Sequence, residues 1–264
     1  MPKVTLQTLN TLKHKGEPFT VLTAYDATFT QLLNDCGVEV ILIGDSLGMV
    51  IQGHESTVPV TMEQMNYHVR CVATANSSSL LIADLPYMSY ATKEQALHNA
   101  AELMRAGANM VKLEGGQWLV QSVKALSDCG VPVCAHLGLT PQSVDALGGY
   151  KVQGRDNDAA EQIIQDALAL ERAGAKLLVL ECVPATLGQK ITEALSIPTI
   201  GIGAGADCDA QVLVLHDMLG LNANFKPKFV KNFMSAAQGD IKQAVELYIQ
   251  EVKSRSFPAD EHNF

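Results

Sequence analysis

No apolar run in the sequence reaches the roughly 18 residues needed to span a membrane, and the opening stretch MPKVTLQTLNTLKHKGEPF holds no apolar core of the kind a secretory signal carries. A cytosolic (cytoplasmic) protein is the expectation. No CxxC pair occurs among the six cysteines (Cys36, Cys71, Cys129, Cys134, Cys182, Cys208), and several lie in apolar, strand-like runs where a reduced thiol packs as a small hydrophobe. Neither disulfides nor a zinc site are expected. Positive charge is scarce: 19 Lys and Arg stand against 28 Asp and Glu, a formal net charge of −9, which argues against a nucleic-acid partner because phosphate binding needs a basic face. No Pro/Ser-rich linker divides the 264 residues.

What is present is an ordinary soluble composition, 47% hydrophobic and 18% charged. Eight short β-rich runs recur: FTVLTAYD near 19, VEVILIGDS near 38, LLIADLP near 80, NMVKLEGG near 109, VPVCAHLGL near 131, KLLVLECV near 176, IPTIGIGAG near 197 and VLVLHDMLG near 212. Several are nearly continuous in Val, Ile and Leu, as strands buried on both faces of a parallel sheet are. Helical patterns such as TMEQMNYHVRCVATA, TKEQALHNAAELMRAG and NDAAEQIIQDALALERAG lie between them, the last two ending in Ala-Gly. Strict alternation of strand and helix implies right-handed βαβ units, and eight of them fit a closed (β/α)8 TIM barrel better than an open sheet. Residues 1–264 therefore read as a single α/β barrel domain. From about residue 239 a helical tail follows, with the amphipathic stretch IKQAVELYIQEVKSR and a polar end expected to fray or to dock on a neighbour.

In such a barrel the active site is built at the carboxyl ends of the strands. Polar residues are abundant there: Asp45 and Ser46 after strand two, Asp84 at the end of strand three, Lys112 and Glu114 on strand four, His136 on strand five and Glu181 on strand six. Singly, each has an ordinary structural explanation. Asp45 or Ser46 can cap a helix, Asp84 before Leu85-Pro86 can mark a turn, Lys112 and Glu114 can form a partly buried ion pair, and His136 can be a hydrogen-bonded core histidine. Glu181, after Lys-Leu-Leu-Val-Leu, is harder to explain, since a lone buried carboxylate is costly. Together they are more informative, because converging carboxylates repel one another and need a cation. Oxygen ligands from Asp45, Asp84 and Glu114 without a Cys/His cluster point to a hard divalent ion, Mg²⁺ above all. Such an ion suits a bidentate 2-oxo acid, polarising the keto oxygen and stabilising an enolate, with Lys112 adding positive charge.

Two glycine-rich stretches each admit two readings. Gly201-Ile202-Gly203-Ala204-Gly205 can touch a phosphate or serve close strand-to-helix packing; it is neither GxGxxG of a Rossmann unit nor a Walker loop. The loop from Gly148 to Arg155 reads either as a lid or as a mobile surface loop.

The motifs TAYDATF at 23, IGDSLGMVIQGHESTVPVT at 43, ADLPYMSY at 83, AGANMVKLEGG at 106, AHLGLTPQSV at 135, GGYKVQGR at 148, LLVLECVP at 177, GIGAG at 201 and HDMLG at 216 resemble the ketopantoate hydroxymethyltransferase family over almost the whole chain. That family is similar in fold to the phosphoenolpyruvate mutase and isocitrate lyase group. The resemblance implies Mg²⁺, one per subunit, on Asp45 and Asp84, with Glu114 completing the site through water. It implies that Asp45, Ser46, Asp84 and Lys112 hold the 2-oxo acid, that Glu181 is the proton acceptor, and that His136 lines the pocket. It further implies transfer of the one-carbon unit of 5,10-methylenetetrahydrofolate, a co-substrate, to 3-methyl-2-oxobutanoate by attack of the enolate on the folate iminium form, giving 2-dehydropantoate for pantothenate synthesis. A homodecamer is the implied assembly. The competing readings are a lyase or mutase using the same metal and enolate, whose KKCGH-like catalytic loop is missing here, and a non-catalytic scaffold barrel.

Overall fold

The computed structural model describes residues 2–222 and 226–264. Eight parallel strands close in sequence order into a barrel: β1 Phe19–Thr23, β2 Val40–Ile43, β3 Leu80–Asp84, β4 Met110–Glu114, β5 Val133–Gly138, β6 Leu177–Glu181, β7 Thr199–Ile202 and β8 Ala210–Leu213. Closure is made by β1 against β8, with Phe19 beside Ala210 and Leu22 beside Leu213. The strands are buried almost throughout, which is why their sequences carry continuous Val, Ile and Leu rather than an alternating pattern.

Helix α1 (Leu6–Lys15) precedes the barrel, and α2 (Ala27–Cys36), α3 (Leu47–Val50), α4 (Met62–Ala75), α5 (Lys93–Ala106), α6 (Val120–Asp128), α7 (Asn157–Ala173) and α8 (Ala185–Ala194) follow the first six strands in turn. Their ends are chemically defined. Thr61 and Gln64 form a reciprocal capping box on α4, as Thr92 and Gln95 do on α5. The Ala-Gly pairs close α5 and α7 with Gly107 and Gly174 in the left-handed region, at φ +118° and +112°.

Alternation breaks at one place. Residues 203–209 join β7 to β8 without a helix, because GAGADCD is glycine-rich and offers no helical apolar stripe. The eighth strand also ends earlier than VLVLHDMLG suggests: Leu215–Met218 is helix α9, a short apolar run being compatible with either state. Helices α10 (Phe233–Ala236) and α11 (Ile241–Lys253) complete the chain. The Tyr248 hydroxyl of α11 lies 3.0 Å from Val21 O and 2.7 Å from Gln211 O, so this helix is pinned across the β1–β8 seam.

The polar end after α11 packs on its own barrel rather than fraying. Phe257 is buried, Ala185 N donates to Phe264 O at 3.1 Å, and the Phe264 ring reaches the mouth of the barrel. All six cysteines are free thiols. Among the described residues no helix is long and apolar enough to cross a membrane.

Candidate active site

Strand register assembles the polar cluster. Pairing of β3 with β4 sets Asp84 beside Lys112, β4 with β5 sets Glu114 beside His136, and β5 with β6 sets Gly138 beside Glu181. Lys112 and Glu114, two apart on one strand, share a face as their spacing requires. The Lys112 ammonium stands 3.2 Å from Asp84 Oδ1 and 3.2 Å from Glu114 Oε1, and 3.2 Å from His136 Nδ1. His136 Nδ1 is 3.3 Å from Glu114 Oε1, while its Nε2, buried and without a hydrogen bond, faces Glu181 Oε2 at 3.4 Å. Asp45 joins through its backbone N–H, which donates to Asp84 Oδ2 at 3.0 Å. The simple structural readings fail for two residues: Ser46 makes no side-chain cap on α3 and instead pairs with the Tyr25 hydroxyl at 2.8 Å, and Asp84 belongs to a strand rather than to a turn. The Lys112–Glu114 ion pair does form, within the larger cluster.

These groups line a cavity of about 400 Å³ at the carboxyl ends of the strands. Burial works against the Lys112 ammonium, but Asp84, Glu114 and Asp45 outweigh it and hold its pKa well above the ordinary value. Burial also works against the Glu114 carboxylate, yet Lys112 and His136 bring it down to about 2. Burial and Lys112 disfavour imidazolium at His136, and Glu114 and Glu181 reverse that to a net upward shift. Asp45 and Asp84 behave differently. Burial, then repulsion from Asp84 and Glu114, pushes Asp45 well up, and burial raises Asp84 despite Lys112. The pair is short of positive charge.

A hard cation fits that shortage. Asp84 Oδ1 is buried and lacks a well-aligned hydrogen bond, with the Lys112 ammonium 3.2 Å away. Gly44 keeps space open at the same spot, since a Cβ there would lie 2.8 Å from Ser46 Oγ and 3.5 Å from Asp84 Oδ2. Among the described residues no group of three His, Cys, Asp or Glu side chains is arranged as a metal cluster. Two under-neutralised carboxylates beside the open backbone of Gly44 fit an ion that takes few protein ligands and keeps water, as Mg²⁺ does.

Several site residues escaped the reading of the sequence. Gln142, in the short helical turn after β5, donates from Nε2 to Asp45 Oδ2 at 2.7 Å and to Leu85 O at 2.9 Å, and its backbone N–H donates to Glu114 Oε2 at 3.0 Å. The Tyr90 hydroxyl donates to Gln142 Oε1, and the Tyr90 ring stacks on Trp118 at 6.0 Å and 14°. Asp217 of α9, buried on the cavity wall, accepts from Asn222 Nδ2 at 3.2 Å. The signal for Gln142 and Asp217 was the motifs AHLGLTPQSV and HDMLG, in which both lie beyond the strand ends, and that for Tyr90 was ADLPYMSY. The 148–155 loop brings Tyr150 to the cavity and ties back through Gln153 N to Cys182 O at 2.9 Å. At Gly203, φ +60°, a Cβ would lie 3.0 Å from the Phe264 ring and 3.1 Å from Phe229, so this loop is glycine-rich for close packing against protein. Phe264 itself lines the cavity, so the tail helps to form its wall.

A family model described as ketopantoate hydroxymethyltransferase matches residues 3–260. A curated relative from Marinobacter nauticus, named 3-methyl-2-oxobutanoate hydroxymethyltransferase, is 62% identical over 99% of this chain and 98% of its own length. The fold is also similar to that of a phosphonopyruvate hydrolase solved with oxalate and Mg²⁺, at TM-score 0.63 and 14% identity over 97% of this chain and 99% of that one. A 2,3-dimethylmalate lyase, a member of the phosphoenolpyruvate mutase/isocitrate lyase superfamily, aligns at TM-score 0.59 and 15% identity over 83% and 84% of the two chains. At such identities these structures speak for the fold alone.

Proposed function

The chain belongs to the ketopantoate hydroxymethyltransferase family, and on that premise we propose that it transfers the one-carbon unit of 5,10-methylenetetrahydrofolate to 3-methyl-2-oxobutanoate. The products are 2-dehydropantoate, a pantothenate and coenzyme A precursor, and tetrahydrofolate, with one water consumed as the source of the hydroxyl. One arrangement supports this above all: the under-neutralised carboxylates Asp45 and Asp84 share a buried cavity with the charged Lys112, while Glu181 stands across it beyond His136.

Asp45 and Asp84 would hold one Mg²⁺ per subunit. Glu114 would reach it through water, since both Glu114 oxygens are engaged by Lys112, His136 and the Gln142 N–H. When bound there, the ion supplies Lewis-acid charge beside the keto oxygen, which makes the neighbouring C3 proton removable near neutral pH. Ser46 and Lys112 donate to the oxygens of the 2-oxo acid, and Asp45 and Asp84 fix its orientation. Glu181, the least buried carboxylate of the cluster at 13% side-chain exposure, takes the C3 proton. His136 sets the direction of the Glu181 carboxylate from one side, and Tyr150 helps to cover the cavity.

The same reading places the enzyme in the cytoplasm as a homodecamer. It is tested by incubating the protein with the 2-oxo acid and following 2-dehydropantoate by mass spectrometry with methylenetetrahydrofolate or Mg²⁺ omitted in turn. Product is expected only in the complete mixture. Turnover without folate, or none in the complete mixture, overturns it.

A further inference from the structure

A five-carbon 2-oxo acid fills only part of a cavity of about 400 Å³, a volume in the range of roughly 300–1,000 Å³ typical of larger ligands. The remainder extends past Ser46 and Val214 to the wall formed after β8. Asp217 stands on that wall. It is 7% exposed and makes no ion pair among the described residues, and its one side-chain hydrogen bond among them is the bond Oδ1 accepts from Asn222 at 3.2 Å. Its charge acts on the Tyr25 hydroxyl, which in turn holds Ser46, so this wall adjoins the 2-oxo acid end. Oδ2 accepts from no described residue while the side chain lines the cavity, so a ligand there can bring donors to it.

We propose that Asp217 is the recognition carboxylate for the pterin of the folate co-substrate, accepting hydrogen bonds from N3–H and the 2-amino group of the 2-amino-4-oxopyrimidine ring. This rests on the folate-dependent reading above. The donor pair on that ring edge matches the two oxygens of one carboxylate, as a guanidinium does. The polarity of the cavity agrees with this direction. Lys226 and Lys228, both exposed, stand at its rim, where the carboxylates of the glutamyl tail emerge, while the neutral ring lies inward against the apolar wall that includes Phe229 and Phe264. Asn222 is then a positioning residue that holds one oxygen of Asp217.

The test uses the full-length protein with Mg²⁺ and two probes, tetrahydrofolate and its 2-desamino-2-methyl analogue, which lacks one of the two donors. Wild type is expected to bind the analogue roughly 10- to 100-fold more weakly, the scale of a hydrogen bond to a charged group. In Asp217→Asn the KM for methylenetetrahydrofolate should rise by a similar factor while kcat at saturation falls by less than about threefold, and the discrimination between the probes should vanish. Equal affinity of wild type for both probes overturns the proposal without any variant, so a misfolded Asp217→Asn does not protect it. A KM within twofold of wild type in a folded Asp217→Asn overturns it as well. If wild type binds neither probe and turns over without folate, the folate reading itself fails and this site falls with it, a result distinct from tight binding without discrimination.

Discussion

The side-chain amide of Gln142 donates to Asp45 Oδ2 at 2.7 Å, with its own orientation fixed by the Tyr90 hydroxyl on Oε1 and by Leu85 O on Nε2. Asp45 is thus aimed rather than merely present. Groups that orient metal ligands typically contribute 10- to 100-fold in metal affinity. Gln142→Ala is expected to weaken Mg²⁺ binding on that scale. The single tryptophan, Trp118, stacked on Tyr90, gives a fluorescence titration independent of turnover. A midpoint equal to that of wild type would show that Asp45 needs no such support.

Among the described residues Lys112 is the one lysine or arginine in contact with Asp84 and Glu114. Replacing it with Met leaves both carboxylates buried without it, and removal of one partner from a buried pair costs about 3–5 kcal/mol. Lys112→Met should lose that much stability in urea unfolding without metal, regain part of it with Mg²⁺, and lose activity. A loss below about 1 kcal/mol would mean that water already screens the cluster.

Asp217 yields a stability prediction with a definite sign. Burial raises its carboxyl from 3.8 to about 6, so the folded state holds a proton that the unfolded state gives up between those values. The stabilisation this provides is complete below about pH 4 and is lost as pH rises through about 6. Asp217→Asn keeps an acceptor for Asn222 and never carries the charge. At pH 7.5 the variant should be more stable than wild type by about 1–3 kcal/mol, with the gain gone at pH 4. A variant less stable than wild type at pH 7.5 would contradict the unpaired burial of this carboxylate.

The strand-end residues were legible because a parallel barrel collects its polar exceptions at one end of each apolar run. Asp84, Lys112, Glu114, His136 and Glu181 each interrupt a Val/Ile/Leu stretch at that end, and the register brings them together. Gln142 was not legible in the same way. It lies in a turn after β5, where a polar residue is ordinary, and its role depends on a contact 97 positions away in sequence. Asp217 was hidden by an apolar run read as one strand although its second half is helical. The tail was read as polar from its composition, yet Phe257 and Phe264 anchor it to the barrel.

Removal of the C3 proton by Glu181 is the step on which the account stands. The most direct measurement is exchange of that proton with deuterated solvent, followed by NMR on 3-methyl-2-oxobutanoate with Mg²⁺ and without folate, which isolates the step from carbon–carbon bond formation. Wild type should exchange only when Mg²⁺ is present. Glu181→Gln, nearly isosteric, should bind metal and 2-oxo acid yet exchange about 10²- to 10⁴-fold more slowly, the usual contribution of a positioned base. Exchange at the wild-type rate in Glu181→Gln would contradict the assignment and move the base to His136, whose Nε2 stands 3.4 Å from the same carboxylate.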